Sequence, residues 1–207
     1  MIAGATVFVV DDDASVRRAL ERLLRSAGLA VRPFRSAEEF LANPPSDAPS
    51  CLVLDLSMAG IDGLDLQQRL QAAGLETSIV FLTGHGSVPK SVRAMKAGAV
   101  DFLQKPFDDQ VLLDAVQRAL ERDHAARAAR RAREDVLACY EVLTPREREV
   151  LALVVRGLPN KLVADRLGTS EKTIKVHRGR VMAKMGADSL AHLVRLADRI
   201  GIRGGPG

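Results

Sequence analysis

Over the first 123 residues the chain alternates between short unbroken apolar runs and longer stretches in which apolar residues return every three or four positions. The runs are residues 6–10, 31–34, 51–55, 79–82 and 100–103. A run without alternation is what a strand buried on both faces of a parallel sheet requires. Between the runs, Val16, Ala19, Leu20, Leu23 and Leu24 fall at helical spacing before Gly28. Ser36 caps a short helix carrying Phe40 and Leu41, which Asn43-Pro44-Pro45 breaks. Residues 64–73 and 88–97 read as two more helices, and Asp108 opens a last one through Val111, Leu112, Ala115, Val116 and Leu120. Five strands alternating with five helices give a doubly wound α/β fold around a five-stranded parallel sheet, because short crossovers of this kind are right-handed.

The pattern changes beyond this point. Residues 120–136 are Ala and Arg with scattered acids, without Gly or Pro, which predicts a helical linker (residues 123–139) rather than a loose tether. Thr144, Pro145 and Glu147 form a helix start, and Gly157 ends that helix. A second helix begins at Asn160 and stops at Gly168, and Ser170 caps a third. On the third, Ile174, Val181 and Met185 share one side, while Lys172, Lys175, Val176 and Gly179 share the other. Two helices joined through a glycine-containing turn, the second basic outside, match a helix-turn-helix. A plain helical bundle with surface lysines shows the same periodicity.

A length of 207 residues suits two domains. No apolar run approaches the roughly 18 residues of a membrane span, and no basic-then-apolar leader follows Met1, so a cytoplasmic protein with no membrane association is expected. Cys51 and Cys139 fit no metal or redox spacing and read as reduced thiols. The net charge of +4 is unevenly spread: residues 1–123 carry 13 basic and 17 acidic side chains, giving −4, and residues 124–207 carry 17 and 9, giving +8. A basic half on an acidic one makes nucleic acid a candidate partner for the second half.

In doubly wound sheets ligands sit beyond the carboxyl ends of the strands. That edge here gathers Asp11 and Asp12, Asp55, Thr83 and Lys105 from four strands. A lone aspartate after a strand is more often a cap or turn residue, but polar residues from four strand ends on one edge make a site. Neighbouring carboxylates repel unless a cation is bound, and an all-oxygen set suits Mg²⁺, which leaves room for a phosphoryl group on Asp55. Phosphoryl transfer needs positioning and charge neutralisation, for which Lys105 supplies a point charge and Thr83 a hydroxyl, with Asp55 as nucleophile.

The segments Val-Asp-Asp-Asp at 10–13, Asp55, Thr-Gly-His-Gly at 83–86 and Lys-Pro-Phe at 105–107 resemble the receiver domain of two-component response regulators. The resemblance implies a flavodoxin-like receiver over residues 1–122. It implies that Asp55 accepts a phosphoryl group from a phosphohistidine of a cognate sensor histidine kinase. Mg²⁺ would be held by Asp12, Asp55 and the backbone carbonyl of Ser57, with Asp11 supporting. It further implies a cis Lys105-Pro106 bond and a switch in which Phe102 swings inward as Thr83 moves toward the phosphate. One departure stands out: the family's Met-Pro after the acceptor is Met58-Ala59 here, which puts metal affinity in question.

The segments Leu-Thr-Pro-Arg-Glu-Arg-Glu-Val-Leu at 143–151, Gly-Leu-Pro-Asn-Lys at 157–161 and Thr-Ile-Lys-Val-His-Arg at 173–178 resemble the LuxR-type DNA-binding domain, as do Lys184, Met185 and a closing helix over 189–199. This implies an all-α four-helix helix-turn-helix domain over residues 140–207. Lys175 and Val176 would face bases, and Asn160, Lys161, Thr173, His177 and Lys184 would meet phosphates of promoter DNA. Together the two resemblances imply a FixJ/NarL-class response regulator, not an enzyme, that forms a homodimer when phosphorylated. Two other readings stay open. One is a phosphorylation-independent DNA-binding regulator. The other is an aspartate-based phosphohydrolase, against which Ser57 stands where such enzymes carry a second aspartate.

Overall fold

The computed structural model describes residues 2, 4–43, 48–75, 77–84 and 88–203. The expected break at Pro44-Pro45 and the His85-Gly86 part of the Thr-Gly-His-Gly segment lie outside them. The chain divides into two compact units, residues 1–127 and 128–207.

In the first unit, β1 (Thr6–Val10), β2 (Ala30–Phe34), β3 (Ser50–Asp55), β4 (Ser78–Thr83) and β5 (Asp101–Gln104) alternate with α1 (Ala14–Ser26), α2 (Ala37–Leu41), α3 (Gly63–Ala72), α4 (Val88–Lys96) and α5 (Asp109–Glu141). The strands pair in the order β2-β1-β3-β4-β5, all parallel. Period-2 geometry sends successive side chains to opposite faces. Val7, Val9, Cys51, Val53, Val80 and Leu82 therefore pack with Leu20 and Leu24 of α1 and Leu112 and Val116 of α5. Phe8, Val10, Leu52, Leu54, Ile79 and Phe81 pack on the opposite face with Phe40, Leu64, Leu66, Leu70 and Ala94 from α2, α3 and α4. Full burial is worth roughly 1.5–3 kcal/mol for each large apolar side chain, so both faces contribute to the core.

Two local features shape the sheet's borders. Gly63 opens α3 where an added Cβ would stand 2.6 Å from the Asp55 carbonyl oxygen, so the helix approaches the end of β3 only because this residue has no side chain. On the edge strand β2, the Asp11 N–H donates to the Phe34 carbonyl, so the peptide groups of Phe34 face β1 and the nitrogen of Pro33 faces the open edge. There proline costs no ladder bond and removes a donor.

Helix α5 is 33 residues long and contains the stretch 123–139. In the second unit, α6 (Pro145–Val154), α7 (Asn160–Leu167), α8 (Glu171–Lys184) and α9 (Leu190–Arg199) follow. Val136, Leu143, Val150, Leu151, Val163, Ile174, Val181 and Leu193 are among the residues of its core. Helix α6 starts with a reciprocal capping box: the Glu147 N–H donates to the Thr144 hydroxyl, and the Thr144 N–H to the Glu147 carboxylate. Gly168, with φ of 61°, supplies the left-handed residue that turns α7 toward α8.

Candidate functional site

Asp55 ends β3 opposite Leu82 in register, one residue before Thr83 ends β4, and its side chain is 8% exposed. Its Oδ1 accepts from Lys105 Nζ at 2.7 Å and its Oδ2 from the Ser57 N–H at 2.9 Å. Lys105 Nζ also donates to Asp11 Oδ2 at 2.9 Å, so one ammonium bridges two buried carboxylates. Burial raises the Asp11 carboxyl above its ordinary value, against the lowering effect of the Lys105 hydrogen bond. Burial alone would lower Lys105, but its hydrogen bonds to Asp55 and Asp11 outweigh that and leave it raised. The Lys105-Pro106 bond is cis, as the resemblance implied.

Thr83 is fully buried, and among the described residues its Oγ1 has no hydrogen-bond partner. A buried hydroxyl left unpaired costs about 1–3 kcal/mol, which makes it a group waiting for an acceptor. Phe102 is half-buried on β5, its ring centroid 6.3 Å from that of Phe81. Asp12 is exposed, and its Oδ2 accepts from the Ala59 N–H at 3.1 Å.

The expected cluster of Asp11, Asp12 and Asp55 is not drawn together in this structure. Among the described residues no group of three or more His, Cys, Asp or Glu side chains is arranged to hold a metal ion. Lys105 stands between Asp11 and Asp55, its ammonium paired with each carboxylate. The donor chemistry still suits a hard cation. Asp12 Oδ1 and the Ser57 carbonyl accept no hydrogen bond among the described residues, and both residues are exposed beside Asp55. Arg17 was not anticipated; its guanidinium donates to the Asp11 carbonyl at 2.6 Å and steadies the turn after β1.

In the second unit, Ser170 caps α8 by accepting from the Thr173 N–H, and the two hydroxyls lie 2.9 Å apart. Ile174, Val181 and Met185 point into the core, while Lys172, Lys175, Val176, Gly179 and Arg180 are exposed. A Cβ added to Gly179 would meet nothing within 4 Å, so the outer face of α8 is open there. Lys161 is exposed at the start of α7, and Asn160 accepts from Arg178 at 3.1 Å. His177 is half-buried, its Nδ1 unpaired among the described residues. Lys184 departs from expectation. Its ammonium donates to the buried Glu147 carboxylate at 2.7 Å and to the Val142 carbonyl at 3.2 Å, so it is turned inward rather than toward a phosphate. That pair, with the Thr144 N–H, holds Glu147 well below the usual carboxylate range, at about 2. Helical spacing held the signal, since residue 184 lies one turn beyond the inward Val181.

A parallel sheet with an aspartate, lysine and buried threonine converging at its carboxyl edge, in a chain that also carries a helix-turn-helix, defines a signal-receiving domain joined to a DNA-binding domain. Residues 7–117 match the response regulator receiver domain family, and residues 141–197 match the bacterial regulatory proteins of the luxR family. Nodulation protein W of Bradyrhizobium diazoefficiens is 52% identical over 96% of this chain and 87% of its own length. Transcriptional regulatory protein FixJ of Rhizobium meliloti is 47% identical over 93% of this chain and 94% of its own. The solved response regulator StyR superposes with a TM-score of 0.84 at 48% identity, covering 95% of this chain and all of that one. The chain belongs to the FixJ/NarL class of two-component response regulators. It is a phosphorylation-controlled DNA-binding transcriptional regulator, a signal-transduction protein rather than an enzyme. Receivers of this family typically use Mg²⁺ for phosphotransfer and work with a kinase, with DNA and as dimers. Among the described residues no helix is long and apolar enough to cross a membrane.

Proposed function

We propose that Asp55 is the phosphoacceptor of this regulator and that a cognate sensor histidine kinase in the cytoplasm supplies the phosphoryl group. The observation that carries this reading is the Lys105 bridge to Asp55 beside the orphaned Thr83 hydroxyl. Asp55 attacks the phosphorus of a phosphohistidine; the new bond is O–P, the broken one N–P, and the electron pair stays on the imidazole nitrogen. Lys105 follows the charge that develops on the phosphoryl oxygens, and the Ser57 N–H holds the other oxygen of Asp55 in place. Mg²⁺, when bound, neutralises phosphoryl charge, and Asp12, Asp55 and the Ser57 carbonyl would hold it with Asp11 in support.

A phosphate on Asp55 supplies the acceptor that the Thr83 hydroxyl lacks. Thr83 moves toward it, and Phe102 fills the space released, which shifts the population toward a second arrangement of α4 and β5. Helix α4 supports a dimer role: Val88, Val92 and Met95 repeat at i, i+4 and i+7 and are 74%, 46% and 45% exposed. Two copies then present two α8 helices to two promoter half-sites. Lys175 and Val176 face bases, with Asn160, Lys161, Thr173 and His177 nearer the backbone. In this reading residues 1–122 are the receiver, 123–139 the helical linker and 140–207 the DNA-binding domain. The test is incubation with a small phosphodonor and Mg²⁺, followed by intact mass. Wild type gains one phosphoryl group and Asp55→Asn gains none; equal labelling of both overturns the assignment.

A further inference from the structure

The loop after β3, residues 56–62, carries the residue at which this chain departs from its family, and that residue makes a bond no proline can make. The Ala59 N–H donates to Asp12 Oδ2 at 3.1 Å, linking the turn after β1 to the loop after β3 across 47 positions of sequence. It is the sole hydrogen bond of the Asp12 carboxylate among the described residues, and Asp12 is otherwise exposed. The loop is held from both sides. Met58 is buried among the residues packed under α3. At Gly60, with φ of 82°, an added Cβ would stand 3.1 Å from the Glu38 carboxylate of α2. Glu38's own N–H and the Ser36 hydroxyl, with a smaller share from the Ile61 N–H, keep the Glu38 carboxyl below its ordinary value. Ala59 is thus presented to Asp12 by a loop whose neighbours on both sides are anchored.

We infer that the backbone N–H of Ala59 is a positioning group for the cation site, orienting Asp12 through Oδ2 so that Oδ1 is left to face a divalent cation. The inference rests on the cation reading of Asp12 given above. An exposed carboxylate with no partner samples several rotamers and must be ordered by whatever binds it; one already held has met that cost. Hydrogen bonds to the far oxygen of a ligating carboxylate typically change metal affinity 10- to 100-fold, and a single bond at an exposed residue belongs at the lower end, about tenfold.

The test uses the full chain with Mn²⁺ as probe, free Mn²⁺ being counted by electron paramagnetic resonance. In one variant the Ala59 residue is replaced by lactic acid, so that an ester oxygen stands where the N–H was. Ala59→Pro removes the same N–H by another route, and Ala59→Gly retains it. The ester and Ala59→Pro should raise the Mn²⁺ dissociation constant about tenfold and reduce the Mn²⁺-induced rise in melting temperature, with melting in the absence of metal unchanged for the ester. Ala59→Gly should bind as wild type does. An ester variant that binds Mn²⁺ as tightly as wild type, or more tightly, overturns the positioning role even where Ala59→Pro fails to fold. Asp12→Asn separates the two levels: if it binds as wild type does, the cation reading itself falls, whereas its loss of binding beside an unaffected ester sinks only the role of Ala59.

Discussion

Replacing Lys184 with alanine should weaken the second unit and leave the salt dependence of DNA binding unchanged. Its ammonium is the largest of the influences that carry Glu147 from the ordinary value of 4.5 down to about 2. A shift of that size corresponds to about 3 kcal/mol. The Thr144 N–H and hydroxyl supply part of it and the Lys184 side chain is 36% exposed, so this sharing and solvent screening leave about 2 kcal/mol for Lys184. The alanine variant leaves a buried carboxylate with the Thr144 N–H as its remaining strong partner, and amides of α6 and α8 should exchange about 30-fold faster, the factor equivalent to about 2 kcal/mol. Hydrogen exchange on the full chain reads this directly. Affinity for promoter DNA should fall by a similar factor at every salt concentration, because a loosened α8 docks less often in the right pose. A lysine that touched a phosphate would behave otherwise, lowering the slope of log K against log salt by about 0.9. A slope reduced by that amount, with exchange in α6 and α8 unaltered, would refute the inward role.

Three further outcomes are expected. Thr83→Val should leave stability unchanged or raise it by about 1 kcal/mol in urea unfolding, since it removes an unpaired buried hydroxyl, yet phosphorylated protein should no longer dimerise in the ultracentrifuge; a stability loss with dimerisation intact would contradict this. Val92→Asp should keep the circular dichroism of the wild type while holding the phosphorylated protein monomeric, because a charge in the middle of the α4 stripe cannot be buried without a partner. For Glu147, whose folded value is lowered, the stabilisation is complete above about 4.5 and lost as pH falls toward about 2, so melting of Glu147→Gln should be flatter than wild type across that window. Parallel melting curves would remove Glu147 as the cause of acid sensitivity.

The strands were readable because burial on both faces leaves their sequences without alternation: Leu52, Val53 and Leu54 divide between two cores, and the run records both. The last strand sits one residue later than its apolar run, since Asp101 and Gln104 pair with Val80 and Thr83 although neither is apolar. Alanine and arginine without Gly or Pro were enough to place 123–139 in helix α5. What the sequence could not carry is the behaviour of flexible and backbone groups. Lysine has the reach to point either way, and only the buried Glu147 decides for Lys184. The Ala59 N–H is a donor common to nearly every residue, and nothing in its side chain reveals that Asp12 is its acceptor. Lys105 was correctly placed at the edge, yet its occupation of the space between two carboxylates is a matter of geometry that charge counting does not reach.

Pro33 bears on how long an activated complex lasts. Sheets left open at a border add strands from other copies, and such additions are zipped by many backbone bonds and come apart slowly. Here the β2 border offers, next to its last residue, a nitrogen with no proton and an arginine, Arg32, lying over the Phe8 and Phe34 rings, while the opposite border strand has only four residues. In the proposed dimer, association falls to helical surfaces instead, whose contacts are fewer and dissolve one side chain at a time. A messenger that must fall silent when its stimulus ends depends on partings as brisk as its meetings, and a proline at the sheet's rim helps to keep them so.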